Sequence, residues 1–383
     1  MRDAVIVMAK RTAIGKMGGQ LATLEPEHLV APLIREIIKE TALPCDCIDD
    51  VILGNVVGPG GNLARLAALE ADLPFSIPGV TIDRQCGSGL EAINMAARFV
   101  QSGAGEVYLA GGVESTSRAP WKMKKPSTLM AMPQVYSRAP FTPQRYGDPD
   151  MGIAAENVAM KFLISRQAQD HYAYKSHQKA IQARKSNRFA DEIVPLRIND
   201  GWVTTDECPR ENTSFDKLQS LRPVFLENGT VTAGNACPLN DGAALVLVMS
   251  LEKCRQLQLQ PILRIVDTQA AGVDPNYLGI GPVPAVQKLL NRQQLNVQDI
   301  DIVEFNEAFA SQVLASIQTL QIHEDKVNRA GGAIAIGHPY GASGAILITR
   351  LFYEMKYQPY KRGLATLGIG GGMGLATLVE SVR

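Results

Sequence analysis

The sequence predicts an α/β chain in which one layered unit occurs twice, with a long segment inserted between the copies. Three observations predict it. Short runs rich in Val, Ile and Leu alternate with helix-length amphipathic stretches. Similar strings recur in the same order about 250 residues apart. Residues 116–239 break both patterns. At 383 residues, the chain is long enough for two or three domain-sized units and a large core.

The elements follow in order. "AVIVMA" (4–9) reads as a buried strand and "EHLVAPLIREIIKE" (27–40) as an amphipathic helix. "IDDVILGN" (48–55) is Ile-Asp followed by a short buried strand, and "IDIVEFNE" (300–307) repeats it. "GSGLEAI" (87–93) and "ASGAILI" (342–348) each open an apolar helical run after a strand. "EVYLAGGVES" (106–115) and "LATLGIGGGMG" (364–374) each carry a strand into glycines, and "PAVQKLLNRQQL" (284–295) reads as a second-half helix. Between the halves, "RAPWKMKKPSTLMAMPQVYSRAPFTPQRYGDPD" is rich in Pro, Arg and Lys and has no period, which marks a long functional loop. "SRQAQDHYAYKSHQKAIQARKSNRF" (165–189) reads as a charged helix with a solvated face. An insertion on a rigid duplicated core is a common place for substrate contacts.

Composition excludes several classes of function. Lys+Arg and Asp+Glu both total 38, so no global charge draws the chain to nucleic acid or an anionic membrane. No stretch approaches the roughly 20 apolar residues a membrane-spanning helix needs. "MRDAVIVMAKRT" has too short an apolar run, followed by basic residues, for a signal peptide. The six cysteines, at 45, 47, 86, 208, 237 and 254, are too sparse for a disulfide framework. Cys45 and Cys47 lack a partner pair or a nearby His, so no zinc site is expected. These features together suggest a cytoplasmic protein.

Two strand–helix junctions carry chemistry. Cys86 lies between "GVTID" and "GSGLEAINMAARFV", at a helix N-terminus where free N–H groups and the dipole favour a thiolate. A packed, inert thiol is the alternative. "GGAIAIGHPYGASGA" (331–345) puts His338 at the matching junction of the second copy. A pseudo-twofold would bring the two junctions together and let the imidazole activate the thiol; a plain turn histidine is the alternative. In "EFNEAFA" (304–310), Asn306 and Glu307 read either as a helix cap or, for Asn306, as a group that positions a water in an oxyanion hole.

Cys-Gly-Ser at 86–88, Asn-Glu-Ala-Phe at 306–309 and Gly-His-Pro at 337–339 resemble three of the four signature blocks of the thiolase family. "GGVESTSRAP", "MGIAAENVA", "ISRQAQDHYA", "GTVTAGNA" with "LNDGAA", and "GIGPVPA" are also similar to that family, in its order. The resemblance covers essentially the whole chain. It implies the thiolase fold: duplicated βαβαβαββ halves in a five-layer α-β-α-β-α arrangement. Residues 1–115 plus 240–262 would form the N-terminal half, 116–239 the loop domain and 263–383 the C-terminal half. It further implies a homodimer or homotetramer that uses acyl-CoA and coenzyme A as substrates, with no metal and no bound cofactor.

Carried over by resemblance, Cys86 would hold the acyl group and His338 would activate it. Asn306 would fix the water that, with His338, stabilises the oxyanion of acetyl-CoA. The amides of Cys86 and Gly370 would form a second oxyanion hole. Arg210 resembles an arginine near the nucleotide of CoA, with a solvated surface charge as the alternative. Met151 resembles a residue lining the acyl pocket, and Cys237 stands where the family commonly has a serine along the pantetheine arm. The chain departs from the family at its fourth block, Cys-Ile-Gly, which here reads Gly368-Ile369-Gly370. The missing thiol normally moves the α-proton, so one expectation is lost or impaired carbon–carbon bond chemistry and another is relocation of that role to Cys237. Asp150 replaces a histidine found in some acetoacetyl-specific members, which leaves chain length open. A carrier-protein-dependent synthase is the rival, and the Asn-Glu-Ala-Phe block and the long loop favour CoA.

Overall fold

The computed structural model describes residues 2–128 and 130–382. Its main sheet holds nine strands in line: β1 (Ala4–Arg11), β2 (Asp50–Gly54), β3 (Gly79–Ile82), β4 (Val107–Ser115), β5 (Asn240–Ser250), β6 (Leu263–Gly272), β7 (Ile302–Phe305), β8 (Arg362–Ile369) and β9 (Met373–Ser381). Their spatial order is β7-β8-β9-β6-β1-β5-β4-β2-β3, and the two-residue strand Gly15–Lys16 pairs beside β5. The order is the duplication made visible. From the outer edge inward, β3-β2-β4-β5-β1 matches Val327-β7-β8-β9-β6, where the outermost partner of β7 is a single parallel bridge, Val303 to Val327.

The halves meet where β1 pairs antiparallel with β6 over Ala4–Ile265, Val5–Arg264 and Ile6–Leu263. Register shifts flank this seam, between Ile6 and Met8 and between Ile265 and Asp267. Bulges of this kind sharpen the local twist and turn one half against the other. The principal helices are α1 (Pro26–Thr41), α2 (Leu63–Glu70), α3 (Ser88–Ser102), α4 (Met151–Lys161), α5 (Arg166–Lys185), α6 (Pro282–Gln293), α7 (Ala310–Leu320) and α8 (Tyr340–Tyr357).

Side-chain alternation sets the layers. On β5, Ala244, Val246 and Val248 enter one core while Ala243, Leu245, Leu247 and Met249 enter another. The first core also holds Leu90 and Ile93 of α3, Ile348 and Leu351 of α8, and Leu375 and Val379 of β9. So α3 and α8 form the middle layer between the two half-sheets. Helices α1 and α2 cover the outer face of one half, and α6 and α7 that of the other. Because both faces of each half-sheet are buried, the strands read as unbroken apolar runs.

Residues 116–239 leave the sheet after Ser115 and return at Asn240, on strands that pair directly through Asp241 and Ser115. Within this segment α5 has the expected solvated face, at Gln167, His171, Gln178, Gln182 and Lys185, and its other face is polar yet buried. Asp170, Tyr172, Ser176 and His177 are buried on it, because each has a polar partner elsewhere in the fold. Among the described residues no helix is long and apolar enough to cross a membrane, and no cluster of His, Cys, Asp or Glu could hold a metal ion.

Candidate active site

Cys86 sits two residues before α3. Gln85, at φ +46°, turns the chain into the helix. Ser88 locks the turn, its Oγ accepting from Arg84 N at 2.8 Å and donating to Gln85 O at 2.6 Å. Gly87 is required here, since a Cβ would stand 2.5 Å from Ile369 Cδ1. The backbone N–H groups of Gly370 and of Cys86 itself both point at the sulfur. The side chain keeps some accessible surface. Burial nonetheless pushes the thiol up to about 11, outweighing those N–H groups, and Glu114 and Asp83 push the same way. The sequence favoured a thiolate on account of the helix terminus, but the N–H groups at the sulfur are those of Gly370 and of Cys86 itself, outside α3, and desolvation outweighs them.

His338 enters from the other half, at the start of α8. Gly337 before it holds φ +120°, and a Cβ there would crowd Asn240. Asn240 Oδ1 accepts from His338 N at 2.8 Å, which ties the turn to β5. Nδ1 lies 2.5 Å from Ser343 Oγ, and that hydroxyl donates to Pro339 O at 2.8 Å. With its hydrogen so used, Ser343 accepts from Nδ1–H, which assigns the tautomer and leaves Nε2 with a free lone pair. Asn306 Nδ2 lies 3.4 Å from that nitrogen. Burial lowers the imidazole to about 3, so it is neutral and ready to accept a proton.

The junctions meet. A Cβ on Gly89 would lie 2.6 Å from Gly341 O, so α3 and α8 abut at their first turns. Glu114, at the end of β4, clamps the joint by accepting from Gly341 N at 3.0 Å, Asn55 Nδ2 at 2.9 Å and Val57 N at 3.1 Å. Its burial raises it to about 7. Tyr340 stands edge-on to His338, ring centroids 5.0 Å apart, and its hydroxyl is raised by burial and then by Cys237 and Cys86. A buried thiol and a neutral, oriented imidazole thus share one neighbourhood.

Residues 4–252 match the family description "Thiolase, N-terminal domain" and residues 259–381 match "Thiolase, C-terminal domain". The chain belongs to the thiolase family. It is 53% identical over 383 residues to "Putative acetyl-CoA C-acetyltransferase VraB" of Staphylococcus epidermidis, covering 99% of each chain. It is 51% identical over 385 residues to the protein of that name in Staphylococcus haemolyticus, covering both completely. Among solved structures, the Bacillus anthracis acetyl-CoA acetyltransferase superposes with a TM-score of 0.94 at 38% identity, over 100% of this chain and 99% of that one. This thiolase is therefore an acyltransferase by family.

The fourth block of this thiolase has a tenant. A Cβ on Gly368 would meet Gln312 Nε2 at 2.6 Å, with Gly279 O and Leu278 O at 3.3 and 3.4 Å. Gln312, on α7, is 2% exposed. Nearby, Phe141 of the loop domain presses on Gly370, where a Cβ would come within 2.9 Å of its ring. Arg138 stacks over that ring at 4.7 Å and bonds Asp148 at 2.9 Å.

The remaining expected residues divide. Burial pushes the Cys237 thiol well up and nearby Cys86 adds to the push, and Cys237 N donates to Ala308 O at 3.0 Å. A thiol held protonated this firmly is a poor base. Met151, half-buried, opens α4, where the next residue, Gly152, packs on Phe225, itself edge-on to Phe309. Arg210 is exposed, its backbone N donating to His177 Nδ1 at 3.2 Å. Neither Asn306 nor Glu307 caps a helix: the N-cap of α7 is Phe309. Glu307 instead accepts from Tyr172, Ser176, Asn328 and Ile334 N, joining α5 to the C-terminal half. Ser343, Asn240, Glu114, Tyr340 and Gln312 went unnoticed in the sequence. Tyr340 and Ser343, two and five residues after His338, were within local reach.

Proposed function

We propose that this thiolase carries an acyl group on Cys86 and exchanges it with coenzyme A, in condensation and thiolysis directions of a reversible Claisen reaction. The observation that carries the reading is the orientation of His338, whose Nε2 is an acceptor facing Asn306 Nδ2 at 3.4 Å at the junction that abuts Cys86. His338 Nε2 takes the thiol proton as Sγ attacks the acyl-CoA carbonyl, and the N–H groups of Cys86 and Gly370 meet the oxyanion. The proton then leaves with the CoA sulfur. In the second half-reaction the thioester oxygen of acetyl-CoA faces a water held by Asn306 and His338. Its α-carbon bonds the acyl carbon as the Cys86–acyl bond breaks, and the α-proton passes through a bound water to the departing Cys86 sulfur. The names of the relatives favour acetyl-CoA as a substrate. Substrates enter beneath the loop domain, past Met151 and Cys237, with Arg210 toward the nucleotide. The protein works in the cytoplasm as a homodimer or homotetramer.

A second reading has its own observation. Gln312 Nε2 stands 2.6 Å from where a Cβ on Gly368 would be, and an amide neither takes nor gives a proton at neutral pH. On that reading the protein transfers acyl groups between Cys86 and CoA without making or breaking carbon–carbon bonds. Acetoacetyl-CoA and longer 3-ketoacyl-CoAs incubated with CoA decide between them. Cleavage to shorter acyl-CoA supports the first reading; exchange of label between acetyl-CoA and CoA with no cleavage supports the second.

A further inference from the structure

Between β1, the middle of α8 and the loop segment lies a network the reaction does not use. Arg11 bonds Glu192 at 2.7 Å and Asp206 at 2.7 and 2.9 Å. Arg350 bonds Glu192 and, at 3.0 Å, Glu354, which Arg188 also meets. Three guanidinium groups thus face three carboxylates. Glu304, on β7 and 1% exposed, is a fourth carboxyl with no cation in contact, and its Oε1 makes no hydrogen bond among the described residues. Arg350 Nε is also without a partner there.

Both residues line one pocket of about 20 Å³, together with Asn306 and Ser343. That is room for one water, which needs roughly 10–15 Å³ and two to four polar partners. Four polar side chains converge on it. Asn306 turns Nδ2 toward His338 Nε2, and its Oδ1 has no hydrogen bond among the described residues. Ser343 Oγ, already bonded to His338 and Pro339 O, has a lone pair left.

We propose that this cavity holds one ordered water through which Glu304 acts as a positioning residue, keeping Asn306 turned with its amide N–H toward His338. The water accepts from the Glu304 hydroxyl and Arg350 Nε, and donates to Asn306 Oδ1 and Ser343 Oγ. The Glu304 hydroxyl, Arg350 Nε and Asn306 Oδ1 then each have a partner. The arrangement requires a protonated Glu304. Burial raises its carboxyl to about 8; Arg350 opposes this, while Glu354, Glu192 and Glu307 reinforce it. These are the charged groups around it: Arg350 and Glu354 from α8, Glu192 from the segment beside β1, and Glu307 from the turn after β7. Its strand neighbour on β8 is Ala365. Once Glu304 ionises it becomes an acceptor, and the water must withdraw a hydrogen from Asn306 or Ser343 to face it.

The inference rests on the roles proposed for Asn306 and His338, so the test separates the two. A high-resolution crystal structure should show a water within hydrogen-bonding distance of Glu304 and Asn306. Infrared spectra should show a protonated carboxyl that disappears in Glu304→Gln. Neither measurement depends on turnover. In thiolysis, Glu304→Leu should lower kcat by about 10- to 100-fold, with KM and acetylation of Cys86 retained. Glu304→Gln, which still offers an N–H, should recover most of that loss and abolish the fall in rate near pH 8. A dry cavity, a leucine variant with wild-type kcat, or a glutamine variant that keeps the alkaline fall would overturn the proposal. A wild-type protein without thiolysis overturns the carbon–carbon reading instead, and leaves the water and the infrared band to judge this one.

Discussion

Gln312 Nε2 lies 2.6 Å from the point where a Cβ on Gly368 would stand. The amide and a cysteine at 368 compete for one volume, and overfilling a packed site costs about 1–3 kcal/mol. Gly368→Cys alone should therefore change acetoacetyl-CoA cleavage little. Combined with Gln312→Ala, the thiol has space and should raise cleavage toward the roughly 10² to 10⁴-fold worth of a general acid or base. A single variant as fast as the double would show that the amide yields freely.

His338 is oriented by Ser343 rather than by a carboxylate. His338→Ala should slow alkylation of Cys86 by iodoacetamide at neutral pH by about 10²-fold. Ser343→Ala should have a smaller effect, on the order of 10-fold, because the ring remains but its tautomer is no longer fixed. Equal labelling rates in wild type and His338→Ala would mean the imidazole does not act on the thiol.

The raised Cys86 predicts a pH profile. In the free protein the thiol is pushed from 9.0 to about 11, so labelling should climb through pH 9 without levelling near neutrality. The same shift bears on stability. Between pH 9 and about 11 the folded state holds a proton that the unfolded state has lost, so stability falls as pH rises through that window. Denaturant titrations of Cys86→Ser should show a flatter decline there. A labelling plateau near pH 7 would restore the resting thiolate.

The fold was legible in the sequence because it rests on local pattern. The repeated Ile-Asp strands and the glycine-opened helices at 87 and 342 foretold the two half-sheets and the paired junctions. What the sequence hid depends on distant partners. Cys86 read as a thiolate because a helix terminus is visible in one dimension, whereas the desolvation that overrides it is not. Glu307 read as a cap because its four donors lie as far away as Tyr172 on α5. Gln312 lies 56 positions before Gly368 on another element, and no spacing joins them.

Glu307 holds α5 through Tyr172 and Ser176 at 2.9 and 2.7 Å and also accepts from Asn328 and Ile334 N at 2.7 and 3.1 Å. Glu307→Ala strands those buried donors, at about 1–3 kcal/mol for each one left unsatisfied. Thermal denaturation should show a large drop in Tm, with Glu307→Gln milder because it keeps an acceptor oxygen. A Tm unchanged in the alanine variant would place the contact at the margin of the fold.

The central claim is that Cys86 carries the acyl group. Acylation needs Cys86, His338 and the two amides, and nothing from position 368. Intact-mass and peptide analysis after mixing with acetyl-CoA should therefore find one acetyl group, located on Cys86 and absent from Cys86→Ser. An acetyl group that persists in Cys86→Ser, or wild-type protein that never acquires one, would contradict the account.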